Sequence, residues 1–99
     1  MRKEDIKEGQ RIILTKEAET LRYVDKNHSF KAGMRGKIIN TRNTLASRVL
    51  VEFDDCIFLG HNGASVDPNT ATGKDGHCWW FYKEDLIKIA KIYKRKNNY

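Results

Sequence analysis

The sequence predicts an all-β fold: five short strands closing into a small, partly open barrel. Three observations point there. Apolar, β-branched or aromatic runs of strand length recur along the chain, turn-forming residues separate them, and no stretch carries a convincing long helical period. A length of 99 residues suits one domain. The 39% hydrophobic and 10% aromatic content can fill one small core, and a disordered chain would hold fewer aromatics.

Taken in order, Met1 to Glu8 is a polar lead-in with room for one helical turn. Gly9-Gln10 opens onto the first strand, Arg11 to Thr15, an apolar run rich in β-branched residues. From Lys16 to Lys31 the apolar residues Leu21, Tyr23, Val24 and Phe30 are scattered, which fits either a long folded loop or a short helix. Gly33-Met34-Arg35-Gly36 is a turn leading into the second strand, Lys37 to Asn40. After a polar turn, Thr41 to Ser47, the third strand runs from Arg48 to Asp54. Its period of two puts Val49, Val51 and Phe53 on the core face and Leu50, Glu52 and Asp54 on the other. Asp55 to Gly76 holds four glycines and the only proline, Pro68, and reads as a long loop. His77 to Tyr82 is an aromatic fourth strand. Lys83 to Leu86 forms a short helical or 3-10 turn, and Ile87 to Tyr93 alternates as the last strand. The domain is expected to span residues 1–93, with 94–99 as a flexible basic tail.

Charge is unevenly placed. The net charge is +6, and Lys91, Lys94, Arg95 and Lys96 supply four of those charges with no acid among residues 91–99. The barrel body is therefore only weakly basic, which argues against a whole-surface nucleic-acid protein. No apolar run approaches the roughly 20 residues that span a bilayer. The charged start, Met1 to Asp5, lacks the apolar middle of a signal peptide. A cytoplasmic location without membrane contact follows as the expectation, with Cys56 and Cys78 kept as reduced thiols.

The order of features is similar to SH3-like barrels of the mind-bomb-repeat type, through Gly9 to Leu14, Gly33 to Ile38, Val51 to Asp54, and Trp80 to Leu86. It resembles more closely a group of small uncharacterised bacteriophage and prophage proteins. The shared pieces are Val51-Glu52-Phe53-Asp54, Gly60-His61-Asn62-Gly63 and Gly76-His77-Cys78-Trp79-Trp80, within a match over residues 9–90. The resemblance implies a five-stranded SH3-like barrel and a phage or prophage setting, hence a host cytoplasm. It implies no particular activity.

The long loop is bracketed by His61 and His77, each after a glycine. An imidazole donates from one nitrogen and accepts at the other, so both suit a loop-closing role through bonds to backbone groups. Cys56 and Cys78 with these histidines do not give the paired ligand spacing of a zinc site, and adjacent His77 and Cys78 point to opposite faces of a strand. Asp54, Asp55 and Asp67 lack the order of a calcium loop. No metal and no cofactor is expected. Nucleophile-elbow, phosphate-loop and metalloprotease motifs are absent, so the expected function is non-enzymatic; Cys56 with His61 could be drawn as nucleophile and base, but the spacing does not require it.

The aromatic strand is the strongest binding feature. Alternation separates Trp80 and Tyr82 from Trp79 and Phe81. Trp80, with Val51, Phe53 and Leu86, is assigned to the core, and Trp79 and Phe81 to the other face, either exposed or covered by the long loop. The expected function is a binding module that engages a host or phage protein through Trp79, Phe81, Asp55, His61 and Asn62. The alternative is a nucleic-acid accessory protein whose Lys91, Lys94, Arg95 and Lys96 neutralise phosphate while Trp79 or Tyr82 stacks on bases. The expected state is a monomer or a weak homodimer formed through an edge strand.

Overall fold

In the computed structural model, residues 1–20, 30–43, 48–57, 60–64 and 72–94 are described. Five antiparallel strands form one sheet: β1 Arg11–Leu14, β2 Arg35–Asn43, β3 Arg48–Phe53, β4 Cys78–Tyr82 and β5 Ala90–Ile92. Their order is β4-β3-β2-β1-β5, so the first strand pairs with the last as well as with the second. That curl is the partly open five-stranded barrel expected from the sequence. Two 3-10 turns, Lys3–Asp5 and Lys16–Thr20, precede β2.

Pairing register decides which side chains go inside. Val49 lies opposite Phe81 and Val51 opposite Trp79, whereas Arg48, Leu50 and Glu52 lie opposite Tyr82, Trp80 and Cys78. Residues directly opposite in an antiparallel pair share a face. Val49, Val51 and Phe53 are buried as expected, together with Ile12, Leu14, Ile38, Leu86 and Phe81. Phe30 completes this core with ring centroids 5.0 Å from Phe81, 5.8 Å from Phe53 and 6.0 Å from Trp79. Gly36 on β2 lets β3 come close: a methyl group there would stand 2.8 Å from the Glu52 carbonyl oxygen.

Two expectations need correction. The register places Trp80 on the outer face opposite Leu50, so it is half-buried and outside the core, while Phe81 takes the inward place and is completely buried. The turn before the last strand is a helix, α1 Lys83–Ile89, and β5 is correspondingly short. Ile87-Lys88-Ile89 alternates in sequence, but the pair that is buried is Leu86 and Ile89, three residues apart as on one helix face. Glu84 and Asp85 in its first turn and Lys88 in its last suit the helix dipole.

The outer face of β2, β3 and β4 is covered by the long loop. Leu50 is fully buried although it points away from the core, because Gly63 sits directly on its side chain. Gly73 packs the same way against Ile39, Glu52 and Cys78. Lys74 N–H donates to the Glu52 carboxylate at 2.7 Å, and Gly73 N–H donates to the Asn62 carbonyl at 2.8 Å. No helix among the described residues is long and apolar enough to cross a membrane.

Candidate functional site

A groove of about 280 Å³ opens along β4, lined by Arg48, His61, Trp79, Trp80 and Tyr82. Each wall has a structural cause. Arg48 begins β3 opposite Tyr82; its Nη2 donates to the Tyr82 hydroxyl at 3.1 Å, and its guanidinium carbon lies 5.0 Å from that ring's centroid. A cation over an aromatic face is attracted by the ring quadrupole, which fixes the Arg48 plane. Its Nε is buried without a hydrogen-bond partner among the described residues, and no carboxylate there pairs with it. Among the described residues Tyr82 is the large hydrophobic side chain most open to solvent, 43% exposed.

Trp79 forms the groove's inner wall. It packs on the core through Phe30, and its ring centroid lies 5.6 Å from that of His61. His61 is held by its own loop: Gly63 N–H donates to His61 Nδ1 at 2.8 Å. That bond needs an unprotonated Nδ1, so the neutral ring carries its proton on Nε2. Burial lowers the His61 pKa from 6.5, and only a weaker opposing pull from Asp75 raises it.

The backbone of β4 also faces the groove. Cys78 N–H donates to the His61 carbonyl at 2.9 Å, and His61 N–H donates to the Cys78 carbonyl at 3.2 Å, a single antiparallel rung on the free side of β4. Antiparallel strands alternate the side to which they bond, so Trp80, two residues on, turns its N–H and C=O the same way. Among the described residues nothing pairs with them. The groove thus joins a strand edge that is open among the described residues to three aromatic rings and one cation.

The residues singled out from the sequence scatter across several places. Trp79 and His61 line the groove. Phe81 does not, because the core encloses it, and this corrects its assignment to a binding surface. Asn62 is a loop fastener: its side-chain oxygen accepts from Ala64 N–H at 2.8 Å. Asp55 is exposed beside a separate cleft with Gly33, Met34, Arg35 and Asp54. Arg11 reaches Asp54 at that cleft through paired bonds of 2.8 and 2.7 Å, which raise the arginine pKa. Lys91 and Lys94 are exposed, whereas Arg95 and Lys96 lie outside the described residues. Tyr93 is engaged by Arg35, whose Nη1 donates to its hydroxyl at 3.0 Å.

Of the groove residues, the sequence alone does not single out Arg48, puts Trp80 in the core and offers Tyr82 only as a base-stacking alternative. The register could have revealed them, since pairing Val49 with Phe81 sends Trp80 and Tyr82 outward beside Arg48. The histidines and cysteines also divide. His77 is buried, and its Nδ1–H donates to the Phe53 carbonyl at 2.9 Å. Cys78 is buried with its thiol directed at the Lys74 carbonyl, 3.5 Å away, and burial with the nearby Glu52 charge pushes its pKa up to about 11. Among the described residues no three His, Cys, Asp or Glu side chains gather as a metal site would require. The chain matches no family model, no curated protein and no solved structure.

Proposed function

We propose that this protein is a non-enzymatic binding module that takes an extended segment of a protein partner along the free edge of β4. The observation that carries the reading is the Trp80 backbone, which has no partner among the described residues, beside the Arg48, Trp80 and Tyr82 side chains. An incoming strand would continue the rung that His61 begins, and backbone bonds of this kind supply affinity with little regard to sequence. Selectivity would come from the side chains. Arg48 favours a carboxylate, and the aromatic walls favour a flat or apolar neighbour. The groove is at the small end of ligand sites, which usually exceed about 300 Å³, so it suits one or two side chains of a longer chain. The partner's origin, a host or a phage, rests on the motif resemblance, and so does the cytoplasmic setting.

The test is selection of peptides from a random library on the immobilised protein, followed by affinity measurement through tryptophan fluorescence. Both tryptophans of the chain line the groove, so the signal reports on the site itself. The expected result is enrichment of peptides with an acidic residue beside an aromatic or aliphatic one. Trp80→Ala and Arg48→Gln should each weaken binding by about tenfold or more, the scale of an interface residue worth over 1 kcal/mol. Replacement of Lys91 and Lys94 by alanine should leave peptide binding unchanged. Salt-sensitive binding of single-stranded DNA, lost on replacing those lysines, would favour the nucleic-acid reading instead. Self-association abolished by Trp80→Ala would make a second copy the occupant.

A further inference from the structure

Away from the groove, the two ends of the long loop bring a cysteine and a histidine together. Cys56 is exposed just after β3, and its Sγ lies 3.3 Å from His77 Nε2. The ring is fixed by a third group, because the Phe53 carbonyl can only accept and therefore holds the proton on Nδ1. Nε2 is left with its lone pair facing the thiol, so the Cys56 S–H donates to it. The backbone locks this arrangement: Phe53 N–H donates to the His77 carbonyl at 2.8 Å, and Ile57 N–H donates to the Gly76 carbonyl at 2.9 Å. A nucleophile, a base within hydrogen-bond reach and a group orienting that base are the parts of an activated thiol.

We propose that Cys56 and His77 form a reactive thiol site that exchanges with low-molecular-weight disulfides to give a mixed disulfide at Cys56. In the exchange the thiol proton passes to His77 Nε2 and the sulfur attacks one sulfur of the disulfide. A new S–S bond forms as the old one breaks, and the leaving thiolate takes the proton back from His77. The disulfide is the oxidant, its released half leaves as a thiol, and His77 ends as it began. The Asp54 charge is matched by Arg11, which leaves Asp55 beside Cys56 and Asp75 beside Gly76 in the chain. These carboxylates select a cationic disulfide over an anionic one. Cys78 takes no part, since it is buried and bonded to Lys74.

Cystamine, a small cationic disulfide, is the probe. Adduct formation on the intact protein is followed by mass spectrometry, and peptide mapping assigns the site. Native protein should be modified at Cys56 alone, at least about tenfold faster than Cys56 in the guanidinium-unfolded chain, in keeping with the scale of acid–base assistance. His77→Gln should slow the reaction to near the unfolded-chain rate, with tryptophan fluorescence confirming its fold, and Cys56→Ser should give no native adduct. A native rate no greater than that of the unfolded chain would overturn the proposal without any variant. Reaction of folded His77→Gln at the wild-type rate would overturn it as well.

Discussion

At the scale of single residues, the fourth strand carries the sharpest contrast. Neighbours Trp80 and Phe81 are both large aromatics, yet the register gives one to the groove and the other to the core. Phe81→Ala should therefore cost about 3–5 kcal/mol in urea unfolding, as a truncated core aromatic does. Trp80→Ala should cost clearly less and act on binding instead. Equal losses would mean that both rings support the fold. His61 is the residue whose ionisation matters most. Its neutral Nδ1 accepts from Gly63, and burial depresses its pKa below 6.5, so the unfolded chain takes up the proton first as the pH falls. The stability it contributes is present above 6.5 and lost as the pH drops through its lower folded value. Unfolding midpoints measured from about pH 7.5 to about pH 5 should fall further for wild type than for His61→Asn. Parallel curves would show that His61 is not responsible.

At the scale of elements, the loop segment around His61 and Gly63 packs on the outer face and lends His61 to the groove. Gly63 has a φ of +83° and sits on Leu50, so a side chain there meets both backbone strain and a packed neighbour. Gly63→Ala should destabilise the protein by about 1 kcal/mol or more. It should also raise amide exchange across residues 60–64, and unchanged exchange would place the loop's anchorage elsewhere. Much of the strand plan was legible because β3 alternates cleanly and glycines mark the turns. What could not be read was the register between β3 and β4. Four consecutive aromatics satisfy either choice of inward face, and only their pairing with Val49 and Val51 decides. Helix α1 was obscured for a related reason, since three residues, Ile87 to Ile89, fit both periods. The burial of Leu50 was hidden too, because it depends on a loop residue 13 positions away in sequence.

At the scale of the whole molecule, the barrel supplies a sheet face on which Gly63 and Gly73 pack, with a groove along β4 beside them. The Arg11–Asp54 pair joins β1 to the segment after β3 across β2, but both side chains are partly exposed, at 27% and 45%. Such a pair contributes about 0–1 kcal/mol. Arg11→Met should thus leave the unfolding midpoint nearly unchanged, and a large loss would reveal a wider role for that cleft. The candidate site itself was only half legible in the sequence. Trp79 and His61 stood out by type, whereas Arg48 became part of it only through the fold. The Cys56–His77 contact likewise required the two loop ends to meet. The central claim is that a partner segment adds to the free edge of β4. It is tested most directly by hydrogen exchange at the Trp80 amide, with and without a library-selected peptide. The account predicts strong protection of that amide on binding, with little change at Lys91 or Lys94. A peptide that binds tightly while the Trp80 amide exchanges as before would contradict it.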